Sequence, residues 1–239
     1  MFVKNCWYVA AWDHEVLADT LLERGILNQS ILIYRLADGT PVALDNKCPH
    51  RHAPLHMGRR EGDSVRCMYH GLKFDAAGQC TEIPGQDRIP PKLCVKSYPM
   101  VQRGRWLWIW MGDPARADEA LIPDAYSLNH PEWRMKPGYL HYEADHQLIS
   151  DNLLDFSHLS YVHEKTLGGS PNIAEVKPVI ERLERGVRVT RDVHNTVPAP
   201  YHARLGGFTG KVNRRFSYDY LVPGILLMAA SVKPADTPE

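Results

Sequence analysis

Short apolar runs separated by turn residues fill the first hundred positions of the chain. Residues 31–36 (ILIYRL) lead through Asp38-Gly39 to Val42–Leu44, a hairpin pattern. Gly71–Phe74 and Cys80–Ile83 flank an Ala-Ala-Gly turn at 76–78, and residues 93–98 and 105–111 flank Arg103-Gly104. These spacings predict an all-β first part. Trp106, Trp108 and Trp110 alternate with Leu107, Ile109 and Met111, so this strand is apolar on both faces. Such a strand belongs in the centre of a core or beneath a second layer.

The pattern changes near Met111–Pro123, where Gly-Asp-Pro opens a polar stretch rich in Ala and Asp. We place a boundary there, giving domains 1–113 and 114–239. Beyond it, Gly138–Ala144 reads as a strand and Leu148–His163 as a helix. Val176–Leu183 and Val187–Val193 pair around Glu184-Arg185-Gly186, and 216–232 reads as strands broken by Pro223-Gly224. The fold class expected of the second part is α+β. Leu148, Ile149, Leu153, Leu154, Phe156, Leu159 and Val162 nearly surround the helix, which predicts its burial. Asp151, Asp155, His158 and His163 then need partners, because unpaired buried charges are costly.

Composition narrows the function. Lys plus Arg equals Asp plus Glu at 28 each, so charge makes no case for nucleic acid or an acidic membrane surface. No apolar run reaches membrane-spanning length, and MFVKNCWYVA lacks the zones of a signal peptide. A cytoplasmic protein is the expectation. Cys6, Cys80 and Cys94 stand apart from any motif, and an odd remainder of three is no disulfide framework.

The other two cysteines carry chemistry. Cys48 and His50 sit in C-P-H, Cys67 and His70 in C-M-Y-H, with 16 residues between His50 and Cys67. Two thiolates and two imidazoles are the inventory of a Rieske [2Fe–2S] centre, with two Cys on one iron and two His on the other. A Cys2His2 zinc site is the rival, but it usually pairs Cys with Cys and His with His. Along the helix, Asp155 and His158 are three apart and share a face. His158 and His163 are five apart, about 140° around a regular helix. They meet on one metal only if the helix is bulged or ends before His163. Two imidazoles and one carboxylate make the facial triad of non-haem Fe(II) oxygenases. Asp155 suits that carboxylate by type, or else orients an imidazole from outside the ligand set.

The chain resembles the terminal oxygenase components of Rieske non-haem iron aromatic oxygenases, especially vanillate O-demethylase and dicamba monooxygenase. The likeness runs from N-C-W-Y-V-A-A through C-P-H-R-H-A-P-L, C-M-Y-H-G-L-K-F-D and W-I-W-M-G-D-P to D-N-L-L-D-F-S-H-L-S-Y-V-H. It implies an all-β Rieske domain followed by a helix-grip (START-like) antiparallel-sheet catalytic domain. Cys48, His50, Cys67 and His70 would hold the cluster, and His158 and His163 would hold a mononuclear Fe(II). Asp155 would bridge electron transfer between subunits, with His70 of a neighbour as its partner in a homotrimeric ring. Asn152 would lie near the iron. A small aromatic substrate is implied, with O-demethylation of a methoxybenzoate-like compound foremost. Ring or methyl hydroxylation is the alternative on the same scaffold, and a Rieske electron carrier without oxygenase activity is a second.

The sequence has no G-x-G-x-x-G, so NAD(P)H electrons are expected through a separate ferredoxin or flavin-type reductase. The family's third iron ligand is an Asp far downstream of the histidines. Asp192, Asp219 and Asp236 are available, but none sits in that context, and the chain reads as truncated at its C-terminus. Tyr201 and His202 are weighed as substrate contacts against ordinary packing. Arg214 and Arg215 are weighed as partners of a substrate carboxylate but expected to be a solvated basic pair, and Met228 falls where a dicamba-enzyme-like protein would have a polar substrate contact.

Overall fold

A strand with tryptophans on one face and aliphatic side chains on the other requires cover on both sides, and the fold supplies it. The computed structural model describes residues 2–125, 128 and 130–237; Pro238 and Glu239, where the sequence ends, lie outside them. The chain divides into two compact units, residues 1–138 and 139–239.

In the first unit the strands are β1 (Cys6–Trp12), β2 (Leu22–Ile26), β3 (Gln29–Arg35), β4 (Pro41–Asp45), β5 (Arg59–Glu61) and β6 (Ser64–Arg66). They continue as β7 (Lys73–Phe74), β8 (Cys80–Glu82), β9 (Ser97–Tyr98), β10 (Met100–Arg103) and β11 (Trp106–Met111). They form sheets in the orders β1-β11-β10, β2-β3-β4-β9 and β5-β6-β7-β8. The apolar β11 is central in its sheet, and Trp7 meets Trp110 edge-on at 5.4 Å between ring centroids. Strand β3 is buried on both faces. Its Ile31 and Ile33 enter one core with Leu107 and Ile109. Its Leu32 and Tyr34 enter another with Leu44, Leu55, Phe74, Cys48 and Cys67. Both motif cysteines are thus core residues of the first unit.

Two of the expected hairpins form, β3–β4 and β7–β8. The third differs. Residues 97–98 pair with β4, while Met100–Arg103 is the hairpin partner of β11. Pro99 lies between them without an N–H to give, and its carbonyl accepts from Trp110 N–H at 2.9 Å where the chain changes sheet. Residues 114–138 belong to the first unit, fastened by Trp7 Nε1–H to the Asp118 carbonyl and Trp12 Nε1–H to that of Gly138.

The second unit is α+β and dominated by one antiparallel sheet. Its helices are α1 (His146–Leu154), α2 (Leu159–Val162), α3 (Asn172–Glu175) and α4 (Pro200–Gly206). Its strands are β12 (Val179–Leu183), β13 (Gly186–Thr196), β14 (Val212–Leu221) and β15 (Ile225–Pro234), adjacent in that order. Phe156, Leu159, Ile173, Val189, Val193, Phe216 and Tyr218 make its core.

Three expectations fail in this unit. Gly138–Ala144 forms no strand and joins no sheet, and Tyr139, Leu140 and Tyr142 are exposed. The Leu148–His163 helix is not continuous and is buried on one side only. Leu148, Leu153, Tyr161 and Val162 are exposed, because one sheet covers only one side of an all-round apolar helix. Arg214 is no solvated residue: it is 2% exposed, while Arg215 alone faces outward beside Asp192 at 3.4 Å. Arg214 Nη1–H donates to the Gly168 carbonyl at 2.6 Å and Nη2–H to that of Leu167 at 3.0 Å. His202 is also buried, packed on α4 with no partner for its Nδ1 among the described residues. His202 therefore belongs to packing, and Tyr201 beside it is half-buried.

Leu44 is fully buried, so Leu44→Ala is expected to cost the first unit about 2–5 kcal/mol in urea unfolding, whereas Met228→Ala at an exposed site costs under about 0.5 kcal/mol. Burial and the nearby Arg214 charge push His202 down to about 4. The unfolded chain takes up this proton below about pH 6.5, and the folded chain resists until about 4. Acidification across that window should lower the second unit's stability by up to about 3 kcal/mol, then level off. His202→Gln should flatten this slope in urea midpoints; an unchanged slope would place the proton elsewhere.

Candidate metal centres

The two motif loops share one backbone design. Cys48 N–H donates to the Ala53 carbonyl, and the Cys48 carbonyl accepts from His52 N–H, both at 2.9 Å. Cys67 N–H donates to the Leu72 carbonyl at 2.8 Å, and its carbonyl accepts from Gly71 N–H at 3.2 Å. Each loop turns on a left-handed residue four places after its cysteine, His52 at φ 58° and Gly71 at φ 73°. At Gly71 a Cβ would come within 2.9 Å of Pro84 Cγ, so glycine is required there for space as well as conformation.

Paired loops bring paired ligand types together. The Cys48 and Cys67 thiols are both buried; burial first, and then the neighbouring Cys67 thiol, push Cys48 up to about 11. The His50 and His70 rings are exposed and lie 4.5 Å apart between centroids. Sulfur thus sits on the core side and nitrogen on the solvent side. Among the described residues no three His, Cys, Asp or Glu converge to hold a single ion. Two separate pairs are what a two-iron cluster with two protein ligands per iron requires. The donor set fits it, with the thiols losing their protons on binding.

Two residues that sequence reasoning passed over hold these loops. Buried Asn46 accepts from His56 N–H at 2.8 Å and donates through Nδ2 to His56 Nδ1 and Ser30 Oγ, closing the first loop. Arg66 donates to both carboxylate oxygens of Glu61 and of Glu82, and at 2.7 Å to the Gly71 carbonyl next to His70. The Arg66 guanidinium holds the Glu61 carboxyl down at about 2. Its position directly before Cys67 was the available signal.

The second candidate centre depends on a broken helix. Asp155 ends α1 with extended φ and ψ of −97° and 97°, and its carboxylate accepts from Ser157 N–H at 2.8 Å. The Ser157 side chain first, and then this backbone capping bond, keep Asp155 below the usual carboxylate range, so it is ionised. A short 3-10 turn, Phe156–His158, leads into α2, which stops at Val162. His163 has left the helix at φ −115°, ψ 25°, and a π-turn, Glu164–Gly168, follows. These breaks bring the His158 and His163 rings to 5.3 Å, where a regular helix would splay them. His158 Nδ1–H donates to the Asp155 carbonyl at 2.5 Å, leaving Nε2 as its free lone pair.

The carboxylates are otherwise engaged. Asp219 takes a two-point ion pair from Arg188 at 2.7 and 2.8 Å, Asp192 faces Arg215, and Asp236 is exposed. Asn152 and Asp151 are exposed on α1, whose start is capped by Asp145. Two half-buried imidazoles with free nitrogens suit a divalent iron, and no third protein ligand joins them among the described residues.

Comparison with known proteins agrees with this division. Residues 6–99 match the Rieske [2Fe-2S] domain, and residues 142–239 match the vanillate O-demethylase oxygenase C-terminal domain. The chain is 52% identical, over 99% of its length, to the iron–sulfur subunit of the toluene-4-sulfonate monooxygenase system of Comamonas testosteroni, spanning 69% of that protein. It is 39% identical over 87% of its length to a vanillate O-demethylase oxygenase subunit of Pseudomonas sp., spanning 58% of it. Its fold superposes on dicamba monooxygenase bound to dicamba with a TM-score of 0.92 at 33% identity, covering all of this chain and 70% of that one. These relatives are named as subunits or components of larger systems, which implies a separate electron donor. No helix among the described residues is long and apolar enough to cross a membrane. Loops that pair buried thiols and exposed imidazoles, a second histidine pair on a broken helix, and the matches over both units together show that the chain belongs to the Rieske-type oxygenases, as a terminal oxygenase component.

Proposed function

We propose that this protein oxidises a one-carbon substituent on a small aromatic anion, with a methoxybenzoate-like compound as substrate. One oxygen atom of O2 enters the methyl carbon and the other leaves as water, with two electrons from NAD(P)H supplied through a ferredoxin or flavin-type reductase. The resulting hemiacetal loses formaldehyde and leaves a phenol. The observation that carries this reading is the presence of two imidazole pairs, one in each unit, at 4.5 and 5.3 Å.

In this reading Cys48 and Cys67 bind one iron of the cluster, His50 and His70 the other, and His158 and His163 a mononuclear Fe(II). When bound, the cluster supplies single electrons and the mononuclear iron supplies oxygen activation. The chain's own residues do the positioning. The buried thiols seat the cluster against the first core, and the Asp155 carbonyl fixes the His158 tautomer. Asp155 keeps an ionised, exposed carboxylate, suited to accept from an imidazole N–H of His70 in a second copy. Repeated head to tail, that contact closes a homotrimer. Asn152, exposed on α1, would have only a supporting role near the iron.

A second reading is hydroxylation of an aryl methyl group, favoured by the 52% identity to a toluene-4-sulfonate monooxygenase subunit. Turnover with a reductase and NADH on 4-methoxybenzoate and on toluene-4-sulfonate separates the two. Formaldehyde equal to phenol from the first compound is expected. A benzylic alcohol from the second compound, with no formaldehyde from the first, would move the assignment to methyl hydroxylation. A ring diol would contradict both.

A further inference from the structure

We propose that Arg214 is a positioning residue for the second metal centre, clamping the π-turn that aims His163. The inference rests on His163 being an iron ligand. The His163 carbonyl accepts from Thr166 N–H and Gly168 N–H, both at 3.0 Å, so the turn is built on the histidine's own backbone. Arg214 grips the far end of the same turn through the Leu167 and Gly168 carbonyls. Gly168 has no room for a side chain, because a Cβ there would run into the Leu159 carbonyl. The turn is therefore pressed onto the start of α2 from one side and held by a buried guanidinium from the other.

Arg214 also reaches the other histidine. Its guanidinium lies 4.8 Å from the centre of the Phe216 ring, which meets Phe156 edge-on at 5.6 Å. Phe156 belongs to the same 3-10 turn as His158. Arg214 thus holds the His163 turn directly and is linked to the His158 turn through Phe216 and Phe156. Both terminal nitrogens of Arg214 donate to backbone carbonyls of the π-turn, inside the unit. Lysine repeats the contact only in part, since its single ammonium lacks the planar two-nitrogen fork that matches both acceptors in fixed geometry.

The test compares the full chain with Arg214→Met, Arg214→Lys and His163→Ala, using amide hydrogen exchange and anaerobic Fe(II) titration. In Arg214→Met, the Thr166 and Gly168 amides should exchange at least about 10-fold faster, and Fe(II) should bind about 10–100-fold more weakly. Arg214→Lys should fall between, with amides of β13 and the visible absorption of the cluster unchanged. Unchanged exchange and unchanged Fe(II) affinity in Arg214→Met would overturn the proposal, as would equal acceleration along β13. If Arg214→Met fails to fold, Arg214→Lys decides: selective loss at 166 and 168 supports the clamp, and wild-type values refute it. Fe(II) bound by His163→Ala as tightly as by wild type would defeat the ligand reading itself, while exchange at 166 and 168 would still judge the clamp.

Discussion

Tyr220, Tyr218, Phe216 and Arg214 share one face of β14, and each meets a successive point along the segment that carries Asp155, His158 and His163. The Tyr220 hydroxyl is 2.8 Å from Ser150 Oγ, and the Tyr218 hydroxyl donates to the Leu154 carbonyl at 3.0 Å. Phe216 packs on Phe156, and Arg214 holds Leu167 and Gly168. A strand presents alternate side chains every 6–7 Å or so, while an unbroken helix returns a given face every 5.4 Å or so. The segment meets the strand by ceasing to be a regular helix at Asp155 and again after Val162. Those breaks let two histidines five residues apart face each other. The catalytic half of the molecule depends on this match between a straight template and a helix that yields to it.

The first unit reaches the same end by repetition. Its two loops use the same pair of backbone hydrogen bonds and the same left-handed fourth residue, so each delivers one sulfur inward and one imidazole outward. Burial of the sulfurs keeps a cluster's soft ligands out of water. Exposure of the imidazoles leaves the nitrogen-bound side of the site open to a partner. Arg66 supports one loop much as Arg214 supports the π-turn, by donating to backbone carbonyls of the segment that follows a histidine. In each case a cation fixes backbone and leaves the ring free to ligate.

Much of the first unit was readable from sequence because its signals are local. Cys-x-His and Cys-x-x-His declare their chemistry in three or four residues, and Asp38-Gly39 declares a turn. The β9–β10 division escaped because Pro99 redirects a run that otherwise reads as one strand. In the second unit, the histidines and Asp155 stood out by residue type, but their geometry did not. Periodicity counts a residue every 100°, and the break at Asp155 comes from a side chain capping Ser157 that no period reports. Arg214 was misread because a charged residue in a strand reads as solvent-facing. Its burial depends on two carbonyls 46 and 47 residues away in sequence. The Gly168-Gly169 pair was the one local sign that backbones pass closely there.

The central claim is that one chain carries two separate iron centres, one in each unit. Iron and acid-labile sulfide per chain, counted after anaerobic Fe(II) loading in wild type, Cys67→Ser and His163→Ala, test it most directly. Cys67→Ser is expected to lose all sulfide and the cluster iron while keeping the remaining iron. His163→Ala is expected to lose that remaining iron and no sulfide. Wild-type iron in His163→Ala, or sulfide lost together with it, would contradict the account.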